Sequence, residues 1–135
     1  MTSTKKLFGG LLVAGLLLVA ACTKTDDTKP GTDDADKFVG TWSCEEKQGS
    51  QAAVTFTISI TKKTANTVTI SNFDNLKEDA NASVSGSVIT IPVQTSKGNN
   101  KFDGNGSLSN SKINLSYTVD VGQGKESFTA VCTKQ

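Results

Sequence analysis

The sequence contains no histidine. It contains no arginine either, so all 14 of its basic side chains are lysine. The first absence excludes Ser-His-Asp and Cys-His catalysis and removes the commonest transition-metal ligand. The second, with a formal net charge of only +1, excludes the arginine-rich basic surface that reads nucleic acid. Aromatic residues are 6% of the chain, with one Trp (Trp42) and one Tyr (Tyr117). No stretch carries a convincing helical stripe. The longest apolar run, Leu7 to Ala21, is 15 residues interrupted by Gly9, Gly10 and Gly15, shorter than the about 20 that span a bilayer.

What is present begins with that run. Lys5 and Lys6 precede it, and it ends in the small residues Val19-Ala20-Ala21 directly before Cys22. A basic start, a short apolar centre and a small-residue exit make residues 1–21 a secretory signal. With Leu18 just upstream, the exit resembles the lipobox of bacterial lipoproteins. The resemblance implies acylation of Cys22, cleavage before it and palmitate-type anchoring in a membrane, which two or three chains make stable. Thr23 follows Cys22, not the Asp that retains such proteins at the inner membrane. The resemblance therefore implies a cell-envelope protein of the outer membrane, facing the periplasm or the surface.

Residues 22–36 hold two Lys against five Asp and almost nothing apolar. Such a segment cannot bury enough surface to offset its ordering entropy, and it reads as a tether. With Cys22 acylated, Cys44 and Cys132 remain of the three cysteines, and an oxidising compartment favours a disulfide between them.

Residues 37–135 change to period two. Val54, Phe56, Ile58 and Ile60 alternate with Thr and Ser, as do Ile113, Leu115, Tyr117 and Val119 with Asn, Ser, Thr and Asp. Strict alternation predicts half-buried strands, here eight, near 38–46, 52–61, 67–72, 81–85, 87–94, 101–108, 112–120 and 126–134. Short polar turns force antiparallel neighbours. The expected fold is all-β: an eight-stranded antiparallel up-and-down β-barrel, or alternatively a two-sheet β-sandwich. The cysteines favour the barrel. Closure makes the first and last strands neighbours, and there Trp42 shares parity with Cys44, and Phe128 with Cys132. Pro92 predicts imperfect pairing in the fifth strand, and Gly104 with Gly106 a bend in the sixth. The expected inward set is Trp42, Val54, Phe56, Ile58, Ile60, Val68, Ile70, Val84, Ile89, Ile91, Val93, Phe102, Leu108, Ile113, Leu115, Tyr117, Val119 and Phe128. The stretch 72–80 has room for one helical turn with Leu76 inward.

No catalytic constellation stands out, and neither an enzyme, a metal site nor a cofactor is expected. Asp103-Gly104-Asn105-Gly106-Ser107 opens like a calcium loop, but Leu108 and Asn114 occupy the places of its Gly and Glu. Glu45, Glu46, Asp120 and Glu126 read as solvated surface charge. Gly122-Gln123-Gly124 reads as a hairpin turn.

Phe38-Val39-Gly40-Thr41-Trp42 resembles the opening of lipocalin-like domains, in which the Trp plugs the barrel floor. The resemblance implies a small lipocalin-like lipoprotein with Lys134 standing where lipocalins use an Arg. It implies a binding module for a small apolar molecule, with Trp42 and Tyr117 as lining candidates. The alternative is a protein-interaction or inhibitor module acting on an envelope protein.

Overall fold

The computed structural model describes residues 33–135. The signal segment, Cys22 and most of the tether lie outside the described residues. Eight strands follow a short 3-10 helix, Asp34–Lys37: β1 Gly40–Lys47, β2 Val54–Thr64, β3 Thr67–Phe73, β4 Glu78–Ser85, β5 Val88–Thr95, β6 Lys101–Ser109, β7 Lys112–Asp120 and β8 Lys125–Lys134. Each pairs antiparallel with the next, and β1 also pairs with β8, so the sheet closes into an up-and-down barrel. The sandwich alternative is excluded by that closure. Cys44 lies directly opposite Cys132 across the seam, with their sulfurs joined and Cα atoms 3.9 Å apart.

Alternation places the strands as it should. In β7 the buried residues are Ile113, Leu115, Tyr117 and Val119, with Asn114 and Ser116 exposed between them. Two-residue connections are made by side chains suited to them. Asn110 and Ser111, between β6 and β7, both have positive φ (48° and 61°), the mirror-image turn whose twist matches the flanking strands. The interior mixes bulk with absence of bulk, as small barrels require. Gly104 and Gly106 point inward on β6 opposite Tyr117 and Leu115. A Cβ at Gly104 would lie 2.8 Å from the Tyr117 Cα, and one at Gly106 would lie 2.6 Å from the Leu115 Cδ2.

One end of the barrel is sealed. Phe38 and Trp42 are fully buried there, and the Trp42 Nε1–H donates to the Phe38 carbonyl at 2.9 Å. The Lys134 ammonium sits 5.4 Å from the Trp42 ring centroid. The 3-10 helix caps this end. Ala35 is fully buried and donates its N–H to Ala65, while the Asp34 carboxylate accepts from the Gly86 N–H at 2.7 Å. Lys62 bridges Asp33 and Asp36. Residues 33–36, assigned to the tether from composition, are therefore part of the folded unit. Their acidity serves local hydrogen bonds, which composition does not reveal.

Three further expectations change, and a fourth holds. Val93 is 78% exposed, because pairing with β6 slips between Ile91 and Gln94 around Pro92 and reverses the parity. Val54 is half exposed at the rim, where the interior ends. The 72–80 stretch holds no helix; Asn72, Asp74, Asn75 and Lys77 all have positive φ. The fifth strand pairs poorly on both sides, as Pro92 predicts, with only Ser83, Val84 and Ser85 of β4 matched to it.

Candidate functional site

The other end, the mouth, is built differently. In β3, Val68 and Ile70 point inward, and strict alternation would bring Asn72 in next. A register shift between Ser71 and Phe73, with Asn72 at φ 61°, inserts a residue instead and turns Phe73 into the core. The Asn72 side chain fixes this bulge. Its Nδ2 donates to the Thr57 carbonyl at 2.7 Å, and its Oδ1 accepts from the Lys77 N–H at 3.0 Å. The chain between, Asp74–Lys77, folds over the mouth, with Leu76 half-buried against the core. Asn and Asp tolerate left-handed backbone better than other side-chain-bearing residues, which accounts for all but Lys77.

Beneath this loop lies a run of rings. Phe73 packs at 5.1 Å from Phe102 and 4.8 Å from Tyr117, and Tyr117 stacks on Phe128 at 5.6 Å with 19° between planes. The space bounded by Cys44, Phe56, Ile58, Phe73, Leu115 and Tyr117 has no room for a water molecule with the loop in place. Asp74 also lines it.

The Tyr117 hydroxyl touches two carboxyl groups. One oxygen of Glu46 is in close contact, and Asp74 Oδ1 is at 2.9 Å. A phenol has a single hydrogen to donate. Among the described residues neither carboxyl group has a lysine within ion-pair distance; the paired lysines are Lys37, Lys47, Lys62 and Lys125, all on other acids. Burial, then the hydrogen bond and charge of Glu46, raise the Asp74 carboxyl to about 7, with Glu126 adding to the same effect and Tyr117 opposing it. Burial and the two carboxyl groups likewise hold the Tyr117 phenol far above its usual range.

The structure thus separates the two candidates named from sequence. Trp42 belongs to the sealed floor and is not available to a ligand, whereas Tyr117 lies at the mouth. Glu46, expected to be solvated, turns in at the rim. Phe73 and Asp74 were not foreseen. The one trace of them in the sequence is the pair of side chains tolerant of left-handed backbone, Asn72 and Asp74, enclosing a lone aromatic. Gly122 and Gly124 form the expected turn, donating their N–H groups to Asp120 at 2.8 and 3.2 Å. Outside the barrel, where β4 and β5 diverge, lies a polar cleft of about 450 Å³. The Gln94 side chain stitches it by both donating to and accepting from the Asn81 backbone, at 2.8 and 2.9 Å.

No protein-family model and no curated protein sequence matches the chain. Solved structures do. A redesigned β-barrel, mFAP1, bound to DFHBI, superposes with a TM-score of 0.58 at 16% identity, covering 76% of this chain and 99% of that one. A second redesigned β-barrel gives 0.57 at 15% identity, covering 76% and 96%. A Bacteroides fragilis protein provisionally described as an outer membrane protein gives 0.50 at 18% identity, covering 77% of this chain and 53% of that one. At these identities the likeness is one of fold: a closed eight-stranded antiparallel barrel.

Proposed function

We propose that this chain is an envelope lipoprotein, acylated at Cys22, whose barrel binds a small apolar molecule at the mouth beneath the Asp74–Lys77 loop. Its work is binding and not catalysis. The observation that carries the reading is the contrast between the two ends. The floor is closed with a neutral, fully buried Trp42–Phe38 pair. The mouth is closed by left-handed non-glycine residues that bring Asp74 to the Tyr117 hydroxyl opposite Glu46 of β1, over a run of four packed rings. Such backbone costs on the order of 1–3 kcal/mol per residue where the side chain is poorly suited to it, and a half-buried carboxyl without a counter-ion adds to that cost. Closure alone requires neither. Strain and perturbed carboxyl groups gather where a protein must open or bind. The same fold holds a small molecule in mFAP1, and the Bacteroides fragilis likeness supports an envelope address.

The test is a fluorescence titration with the neutral apolar dye N-phenyl-1-naphthylamine. One saturable site is expected. Phe128→Ala, which removes the ring stacked on Tyr117, is expected to weaken it by about tenfold, or roughly 1.4 kcal/mol. Absence of saturation, or indifference to Phe128→Ala, contradicts the reading. For the anchor, Cys22→Ser is expected to abolish palmitate labelling and move the protein from the membrane pellet to the soluble fraction. Label that persists in Cys22→Ser, or a wild type that takes up none, contradicts acylation there.

A further inference from the structure

We propose that the Asn72–Lys77 loop is a proton-locked lid, closed over the mouth while Asp74 carries a proton against Tyr117 and Glu46 and released when that proton leaves. Glu46 and Asp74 both contact the Tyr117 hydroxyl. If both carboxyl groups are ionised, two acceptors face a single donor hydrogen, and one contact becomes a meeting of lone pairs. One added proton resolves this: a neutral Asp74 donates to the Tyr117 oxygen, the phenol donates to Glu46, and each contact has its own hydrogen.

Among the described residues no lysine pairs with either carboxyl group to supply the missing positive charge. The titratable groups acting on Asp74 are Glu46 from β1, Tyr117 from β7 and Glu126 from β8. Glu46 and Glu126 are carboxylates, while Tyr117 stays neutral and its hydrogen bond alone favours the ionised Asp74; loss of the proton therefore leaves like carboxylate charges in a half-buried site, where screening is weak. The segment that bears Asp74 is the one able to give way. Its closed form holds Asp74, Asn75 and Lys77 in left-handed backbone. Beyond the triad it is retained by the Asn72 side chain, short turns to Asn72 and Phe73, and the half-buried Leu76.

The sign of the effect is set by linkage. The closed state raises the Asp74 carboxyl from its ordinary 3.8 to about 7, so the closed lid binds the proton more tightly than the open one. Closure is fully favoured below about pH 4. It weakens as pH rises towards 7 and is lowest and flat beyond. One proton per opening makes the open fraction rise by about tenfold per pH unit inside that window. The direction is release in neutral or alkaline surroundings and closure in acid. Its use as a gate rests on the mouth being the binding entrance, but the lid equilibrium is measured without ligand.

The experiment is amide hydrogen exchange on the 37–135 unit extended to Asp33, read at Leu76 and Lys77. Rates are converted to protection factors so that the intrinsic base dependence is removed. Between pH 4.5 and 8 the wild-type factors should fall by about tenfold per unit and level off near 7. Asp74→Asn keeps a neutral donor in place and should hold both amides at their acid-pH protection throughout; Glu46→Gln removes the second cause and leaves burial, so the fall should remain but be smaller. A wild-type profile flat across the window overturns the proposal, as does an Asp74→Asn profile that still falls. Dye binding that fails while the exchange profile holds removes the ligand and leaves the lid. The converse removes the lid and leaves the ligand.

Discussion

Trp42→Ala is expected to lower the unfolding free energy by about 3–5 kcal/mol, the range for deleting a large buried aromatic. Three effects combine. The ring is fully buried at the floor, so its removal leaves a cavity between strands that cannot collapse without breaking the β1–β8 seam. The Phe38 carbonyl, which accepts the indole N–H at 2.9 Å, loses its partner in a buried place. The Lys134 ammonium, 5.4 Å from the ring centroid, loses the ring face that attracts it. Against the about 5–15 kcal/mol of a typical domain, such a loss threatens the fold itself. Because Trp42 is the one tryptophan, unfolding should be followed by circular dichroism, with a lower urea midpoint at unchanged slope as the expected outcome. Trp42→Phe separates the terms: most of the volume stays, the carbonyl is still orphaned, and about 1–3 kcal/mol should be lost. Equal losses for the two variants would mean that the cavity contributes little.

The second large effect is at the seam. Cys44 and Cys132 are 88 positions apart in sequence and face each other across β1 and β8. Joining residues that distant removes, in the chain-entropy model, up to about 4.6 kcal/mol of freedom from the unfolded chain. Cys44→Ala/Cys132→Ala should therefore lower stability by up to about that amount, since alanine keeps part of the buried packing. The diagnostic comparison uses a reductant. Dithiothreitol should lower the midpoint of the wild-type chain and leave that of the double variant unchanged. A wild type indifferent to reductant would show that these sulfurs are unjoined in solution and that the seam stands on its ladder alone.

Both residues of the seam, and the barrel they close, are legible in the sequence because one-sided burial imposes a period of two that few other arrangements produce. Ile113 to Val119 is such a stretch, and so is Phe56 to Ile60. Parity carries the reading as far as the first irregularity and fails there. Val93 is assigned inward by counting from Ile91, and the slip at Pro92 sends it out. Phe73 is overlooked because the count from Ile70 selects Asn72, and the bulge substitutes its neighbour. The mouth fails for a different reason. Glu46, Asp74 and Tyr117 come from β1, the β3–β4 loop and β7, with 71 positions separating Glu46 from Tyr117. Nothing local to any of them records that they meet. The acids at 33–36 are also ambiguous in composition, since the same residues that keep a linker solvated also cap a 3-10 helix.

The account turns on where a small apolar molecule enters. The direct measurement is a titration of the nitrogen-15-labelled folded unit with N-phenyl-1-naphthylamine at pH 7.5, chosen to lie above the about 7 of Asp74, followed through backbone amide shifts. The prediction is a saturable set of changes centred on Phe73 to Lys77, Tyr117 and Phe128, with the floor around Trp42 unmoved. Changes centred instead on Asn81 and Gln94 at the outer cleft, or no saturable change at all, would contradict it.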